Sequence, residues 1–385
     1  MSLQDLWFTL IAVLWCGYFL LEGFDFGVAT LLHVVGRNEE ERGVLLRTIG
    51  PVWDGNEVWL LVAGGATFAA FPLWYATLFS GFYLALLLIL VALIVRVLAI
   101  EYRNKETGAR WRRRWDLAHT VTGAVPALLW GVAFANIVHG VPIDAAHHYT
   151  GSFFTLLNPY ALLGGLMTLS VFILHGAVFL AAKTTGELRE RARQVTLRVG
   201  PAAAVLAVLF LGWTQIHQGT AATAATAAIA AVALLGGLFA TGKGRDLWAF
   251  AGTGAAIVAA TTTLFLALHP DVMPSTTSPA YSLTVHNASS SHYTLTVMSW
   301  VALAFTPLVL LYQGWTYWVF RARITGRDPL PPRRTQGGTT SGSASGIAPS
   351  ASSGPASGTT PGTLSGPVPG TSSGTVPGTP SGTPA

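Results

Sequence analysis

The chain has 385 residues, of which 51% are hydrophobic and only 10% are charged, and its formal net charge is +5. Soluble globular proteins carry about 25% charged residues, so this composition disfavours a soluble enzyme, a disordered protein and a nucleic-acid binder. The single cysteine, Cys16, lies in an apolar run, which argues against a disulfide framework and a cysteine-rich metal or iron–sulfur site. The chain is expected to be an integral membrane protein.

Nine stretches are long and apolar enough to cross a membrane as helices, which need about 20 largely apolar residues each. They lie at roughly 7–34, 53–71, 75–100, 117–138, 160–182, 199–217, 222–241, 246–268 and 293–320. The first stretch lacks a basic start and a small-residue cleavage site, so it is expected to remain as a helix rather than be removed as a signal peptide. The sequence therefore predicts an all-α membrane protein with about nine spans.

The basic residues predict how these spans are oriented, because cytoplasmic loops hold an excess of Lys and Arg. All 22 basic residues except Arg96, which lies inside a span, fall in alternate loops and at the C-terminal end. The intervening loops at 72–74, 139–159, 218–221 and 269–292 have none. The N-terminus is therefore predicted to lie outside and the C-terminus in the cytoplasm.

The composition changes sharply after the last span. Residues 1–325 are predicted to form the nine-helix transmembrane domain, whereas 326–385 consist mainly of Gly, Ser, Thr and Pro in loose repeats without an aromatic side chain. Such a segment cannot bury enough apolar surface to offset its chain entropy. A disordered cytoplasmic tail without chemistry is expected there.

Charged residues inside the spans are the strongest functional signal, since a charge at the centre of a span costs about 2.5–3.5 kcal/mol on an insertion scale. The first span contains Glu22 and Asp25, which are three residues apart and hence share a helix face. The second span opens with a segment that carries two more acids, an amide and an aromatic residue: Trp53, Asp54, Asn56 and Glu57.

The helical rise of 1.5 Å per residue gives predicted depths for these acids. Asp25 is expected about 13 Å and Glu22 about 18 Å below the cytoplasmic surface, with Glu57 about 6 Å deep and Asp54 near the surface. A ladder of carboxyl groups from the cytoplasm toward mid-membrane is what a proton relay requires. The predicted proton pathway consists of Asp54, Glu57, Asp25 and Glu22, with Asn56, Arg96 and Trp53 in support.

Two other interpretations compete with a relay. In a structural one, Asp54 complements the positive end of the second helix and Glu57 pairs with Arg96, which is expected in the same cytoplasmic layer and could extend its side chain to the interface. In the other, the chain is a proton-coupled secondary transporter. That class uses broken helices and inverted repeats, and the sequence gives no sign of either.

Histidines predict no haem site in this chain. Only His175 lies well inside a span, and a pair of haem ligands would need a second histidine at matched depth on an adjacent helix. His175 is therefore expected to be a hydrogen-bonded core residue. No metal motif is found, and the chain is expected to have no redox centre of its own.

Seven strings resemble subunit II of the cytochrome bd-type quinol oxidases. They are Gly-Phe-Asp-Phe-Gly-Val at 23–28, Gly-Pro-Val-Trp-Asp-Gly-Asn-Glu-Val-Trp-Leu at 50–60, Phe-Ala-Ala-Phe-Pro at 68–72, Phe-Ser-Gly-Phe-Tyr at 79–83, Gly-Val-Ala-Phe-Ala-Asn at 131–136, Gly-Ser-Phe-Phe-Thr-Leu-Leu-Asn-Pro-Tyr at 151–160 and Thr-Leu-Thr-Val-Met-Ser-Trp at 294–300. The resemblance extends in order over about residues 5–325.

This resemblance implies two four-helix bundles plus one peripheral helix, in a bacterial cell membrane, paired with a similarly folded subunit I. In that family subunit I binds haems b and d and the quinol, and the complex reduces O2 to water with protons from the cytoplasm. Subunit II holds no haem, and acids at the positions of Asp25 and Asp54 line a proton path. Glu57 is the least secure of these positions because family members can carry Gln there. Some members also hold a structural quinone, and small accessory subunits are a further expected class of partner.

Overall fold

The computed structural model describes residues 2–325, which are mostly helical. The predicted disordered tail at 326–385 lies outside the described residues. The helices are α1 (Leu3–Thr30), α2 (Leu32–Val35), α3 (Glu39–Ile49), α4 (Trp53–Ala70), α5 (Pro72–Gly81), α6 (Tyr83–Tyr102), α7 (Ala109–His139), α8 (Pro159–Lys183), α9 (Gly186–Gln218), α10 (Ala221–Gly242), α11 (Asp246–Leu268) and α12 (His292–Val319). Two short strands, β1 (Asp271–Met273) and β2 (Leu283–Thr284), pair antiparallel in the loop before α12.

The number of spans agrees with the sequence prediction. Eight helices within residues 2–325 are long and apolar enough to cross a membrane, and the pair α4 and α5, bent by 120°, makes a ninth. The predicted span at 75–100 differs, because the structure divides it into α5 and α6 at Phe82. Pro72 explains the bend after α4: it has no N–H to continue a helix, and it favours an extended conformation at Phe71.

Helix α1 lies at the centre of the molecule and contacts α4, α7, α8 and α11. It packs closely against α4, α7 and α8, while α6 packs on α7 and α8 to α11 pack together. α1 and α8 come especially close where Gly27 faces Gly176, since a Cβ atom on Gly27 would lie 2.8 Å from the Gly176 Cα. Helix α12 is peripheral, and Leu295 is its one buried residue.

The loops rich in Arg and Lys meet at one end of the helices, called the basic end from here on. There Asp116 of α7 accepts hydrogen bonds from Arg42 Nε at 2.8 Å and from Arg103 Nε at 2.5 Å. Glu41 of α3 pairs with Arg191 of α9, with 2.6 Å between Oε1 and Nη2, and hydrogen bonding to this guanidinium lowers the pKa of the Glu41 carboxyl. Ion pairs therefore link the successive basic loops to one another.

Helix α3 at the basic end was not predicted. Asn38 caps it by accepting a hydrogen bond from the Glu41 amide at 2.8 Å, and three acids in its first turn complement the helix dipole. Its apolar residues Val44, Leu45 and Ile49 are buried. The preceding span, predicted to end near residue 34, is divided at Leu31 into α1 and the short α2, which ends at Val35.

Candidate functional site

Charged residues from three helices meet around Arg96 of α6. Its Nη2 atom pairs with Glu22 Oε1 of α1 and lies 3.5 Å from Glu57 Oε2 of α4. Arg96 and Glu22 are fully buried, and 20% of the Glu57 side chain is exposed. The guanidinium also lies 4.9 Å from the centre of the Phe26 ring, a favourable cation–π geometry. Arg96 is thus a buried cation shared by two carboxyl groups, and the prediction that it could extend to the interface is wrong.

Asp25 lies three residues further along α1 than Glu22 and is held by Asn56 of α4. The Asn56 Nδ2 group donates to Asp25 Oδ2 at 2.7 Å and to the Leu21 carbonyl at 3.3 Å. The Asn56 Oδ1 atom accepts a hydrogen bond from the Tyr317 hydroxyl at 2.6 Å. Since Asp25 and Asn56 are both fully buried, Asn56 is an internal junction that connects α1, α4 and α12.

These contacts refine the predicted arrangement. Glu22 and Glu57 are expected about 12 Å apart in depth, yet both side chains reach one guanidinium. The long Glu and Arg side chains bridge positions that differ in height along the helices. Glu22, Asp25 and Glu57 therefore form a cluster around Arg96 and Asn56 rather than a ladder, and this group of five is called the acid cluster below.

Asp54 and Trp53 begin α4 and lie outside the acid cluster. Asp54 is exposed and Trp53 is half-buried. As an acid in the first turn, Asp54 complements the positive end of the α4 dipole. It also lies three residues before Glu57, on the same side of the helix and closer to the basic end. The position suits both the structural interpretation and proton uptake.

Several buried polar atoms of the acid cluster have no hydrogen-bond partner within residues 2–325. They are Glu22 Oε2, Asp25 Oδ1, Arg96 Nε and Arg96 Nη1. Buried polar atoms are normally satisfied, by ordered water where the protein supplies no partner. The acid cluster also holds three carboxyl groups and one guanidinium, so complete ionisation would leave two negative charges without a balancing cation, which is costly in a buried site. The arrangement is suited to holding protons and exchanging them through water.

Two residues beside the acid cluster, Tyr317 and His119, were not predicted from the sequence as part of the site. Tyr317, which bonds to Asn56, belongs to an aromatic run at the end of α12 that is typical of a membrane interface. His119 of α7 is buried and interacts electrostatically with Arg96 and Asp116. Its spacing of three residues from Asp116 was a usable signal, whereas nothing in the sequence connects Tyr317 with Asn56.

His175 has both ring nitrogens engaged. Its Nε2 atom lies 3.2 Å from the Leu20 carbonyl, which can only accept, and its Nδ1 atom lies 2.7 Å from the Thr253 hydroxyl. The ring is fully buried and stacks on Phe250 at 4.6 Å between centres. This is the hydrogen-bonded core histidine that the sequence predicts, and it leaves no nitrogen free for a metal.

Comparisons with known proteins agree with one another. Residues 3–320 match the family described as cytochrome bd terminal oxidase subunit II. The chain is 41% identical over 335 residues to cytochrome bd ubiquinol oxidase subunit 2 of Bacillus subtilis (strain 168), covering 86% of this chain and 99% of that protein. It is 36% identical over 364 residues to cytochrome bd-I ubiquinol oxidase subunit 2 of Escherichia coli (strain K12), covering 85% and 96%. A chain of the bd oxidase structure from Geobacillus thermodenitrificans has the same fold, with a TM-score of 0.70 at 17% identity over 83% of this chain and 99% of that one.

Proposed function

The chain belongs to the cytochrome bd terminal oxidase subunit II family, and from this premise we propose that it is the haem-free subunit that supplies cytoplasmic protons to the oxygen-reducing haems of subunit I. It is a multi-pass protein of a bacterial membrane and a subunit of a quinol:oxygen oxidoreductase. In the proposed division of labour, subunit I takes electrons from the quinol pool and reduces O2 to water at its haems b and d.

The main support for the proposal is that the acid cluster holds more carboxyl groups than the single charge of Arg96 can balance. One carboxyl group would balance the Arg96 charge, yet Glu22 and Glu57 both contact it, and Asp25 is buried nearby. Buried acids without a balancing cation are costly to maintain and mark proton relays in membrane proteins. A purely structural ion pair accounts for one of the three carboxyl groups, and proton transfer accounts for all of them.

The proposed route starts at the basic end. Asp54 is exposed there and collects protons, and Glu57 lies one turn further along α4. From Glu57 the proton moves through water to Glu22 Oε2 and Asp25 Oδ1, the carboxyl oxygens without a hydrogen-bond partner within residues 2–325. Asn56 does not carry the proton in this scheme. It fixes the orientation of the Asp25 carboxyl by donating to its other oxygen.

The hydrogen bonds of His175 support the haem-free part of the proposal. An axial haem ligand needs a free ring nitrogen, and both nitrogens of His175 face polar partners. The side chains of this chain therefore do not fit a haem at the depth of His175, and we assign the haems to subunit I.

Exposed side chains on α4, α6 and α12 support a large protein partner. Part of Glu57 reaches the surface of α4 beside the exposed Leu61, and a carboxyl group facing lipid at this depth would be unfavourable. Most of α12 is exposed, including Trp300 and Leu311. We propose that subunit I covers this face. Small accessory subunits would bind elsewhere on the lipid-facing surface.

An apolar cavity offers room for the structural quinone found in some relatives. It has a volume of about 360 Å³, and its lining includes Trp130, Phe134, Leu211, Leu234 and Gln215. Its apolar wall suits an isoprenoid tail, and the Gln215 amide could donate to a quinone carbonyl. We propose this cavity as the quinone position, which extraction of the purified complex and quantification of bound quinone would test.

The secondary transporter is the remaining alternative. Its substrate site is expected at helix breaks near mid-membrane. The expectation of no broken helix is wrong, because residues 2–325 contain one broken span, at Phe71. This break lies fourteen residues beyond Glu57 and so about 21 Å along the helix from it. The break therefore does not lie beside the acids, and the oxidase interpretation is favoured.

Co-expression with subunit I tests the proposed function directly. We expect the purified complex to show haem b and haem d absorbance and to consume O2 when supplied with quinol. The isolated chain, reconstituted in detergent with added haem, should show no stoichiometric haem spectrum. A haem spectrum in the isolated chain would contradict the haem-free assignment. A purified complex without quinol-dependent O2 consumption would contradict the oxidase assignment.

A further inference from the structure

A groove lies at the basic end, where α10 turns into α11. It has a volume of about 480 Å³, and its lining combines two cations with two aromatic rings: Phe239, Ala240, Lys243, Arg245 and Trp248. Gly244 adopts a positive φ of 72° in the turn between the helices, a conformation that glycine reaches without strain. This tight turn keeps the two basic residues beside the same groove.

The positive charge of this groove is not balanced by an acid. Lys243 and Arg245 are exposed, and neither forms an ion pair within residues 2–325. The neighbouring acid, Asp246, is buried and already pairs with Arg189 at 2.7 Å and Arg323 at 3.2 Å. The groove therefore presents two cations that are available to an external anion.

The aromatic side chains of the groove face the membrane rather than the protein core. Phe239 and Trp248 are 69% and 71% exposed, and Leu247 next to them is 72% exposed. Lys243 Nζ lies 5.5 Å from the centre of the Phe239 ring. Exposed Trp beside Lys and Arg at the end of a span is typical of the lipid headgroup layer. The groove thus offers cations at headgroup level and apolar surface immediately below.

We propose that this groove binds an anionic phospholipid, with Lys243 and Arg245 contacting the phosphate and with the acyl chains lying along Phe239 and Trp248. Basic pockets between spans on the cytoplasmic side recognise such headgroups, and Arg pairs well with phosphate oxygens. The site is independent of the proton pathway, because its residues lie on helices that do not contribute to the acid cluster.

Native mass spectrometry of the assembled complex tests this proposal. Delipidated complex is titrated with phosphatidylglycerol, with phosphatidylcholine and inorganic phosphate as separate probes. Each basic residue at this level contributes about fivefold in affinity, so Lys243→Ala with Arg245→Ala should weaken the tightest phosphatidylglycerol site by about 30-fold. Arg245→Ala alone should weaken it by about fivefold.

The matched control is Lys105→Ala with Arg110→Ala, which removes the same charge from an exposed basic loop outside the groove. This variant should bind phosphatidylglycerol within twofold of the wild type. Unchanged affinity in the Lys243 and Arg245 variant, or an equal loss in the control, would overturn the proposal. So would equally tight binding of phosphatidylcholine, or saturation of the groove by inorganic phosphate alone.

Discussion

Replacing Asp25 with asparagine separates proton transfer from packing. The amide has nearly the shape of the carboxyl and can still accept the hydrogen bond from Asn56. We therefore expect the free energy of assembly to change by no more than about 1 kcal/mol. The amide cannot exchange a proton, and a positioned acid or base is worth about 10²–10⁴ in rate. Because Glu22 offers a partial detour in the proposed route, we expect quinol oxidase turnover to fall at least tenfold, equivalent to about 1.4 kcal/mol in the barrier.

The assay is steady-state O2 consumption by assembled complexes with equal haem content, recorded across a range of pH. Asp25→Glu is the matched control, since it keeps an ionisable carboxyl and should turn over several-fold faster than Asp25→Asn. We expect Asp54→Asn to behave like Asp25→Asn, and Glu57→Gln to be milder. Wild-type turnover in both Asp25→Asn and Asp54→Asn would refute the relay. A fall in haem content parallel to activity would instead assign these acids to assembly.

Four further predictions concern stability and the haem assignment. Arg96→Gln leaves buried carboxyl groups without their cation and should destabilise the complex by about 3–5 kcal/mol; an unchanged thermal unfolding midpoint would contradict this. Because the folded-state pKa of Glu41 lies below its ordinary value of 4.5, its ion pair stabilises the protein above that pH and the effect is lost as pH falls through the lowered pKa. Glu41→Gln should therefore cost about 1 kcal/mol at pH 7 and progressively less below pH 4.5, and a cost that is constant with pH would contradict the pairing. Gly176→Ala should disrupt the close approach of α1 and α8 and reduce the yield of assembled complex, whereas Gly236→Ala, in α10 with open space around its Cβ position, should match the wild type; equal yields would show that the helices adjust. His175→Ala should leave every haem band of the complex in place, and loss of one band with assembly intact would show that this histidine is a ligand.

The sequence predicts the spans well because membrane helices depend on a local property, the length of an apolar run. The division at Phe82 was missed since the residues on both sides are equally apolar. Helix α3 was missed although its signals were present, with Asn38 as the cap and acids in the first turn. Because α3 is short and mostly polar, the length of an apolar run does not predict it.

The acid cluster was predictable in its members but not in its contacts. Glu22 and Asp25 stand out because acids are rare in spans. Their partners depend on how far the Arg96 side chain reaches, which the sequence does not give. Tyr317 was beyond sequence reasoning, since its bond to Asn56 joins positions that are 261 residues apart.

The hydrogen bond from Tyr317 to Asn56 connects α12 to the acid cluster, although little of this helix is buried. With Leu295 as its one buried residue, this helix rests on a few polar contacts, among them the one that Lys183 makes with the Phe320 carbonyl. The bond is already present in this chain without a partner, so the amide that aligns Asp25 is held in place before subunit I docks. Displacement of α12 would release Asn56 and let the Asp25 carboxyl group change its orientation.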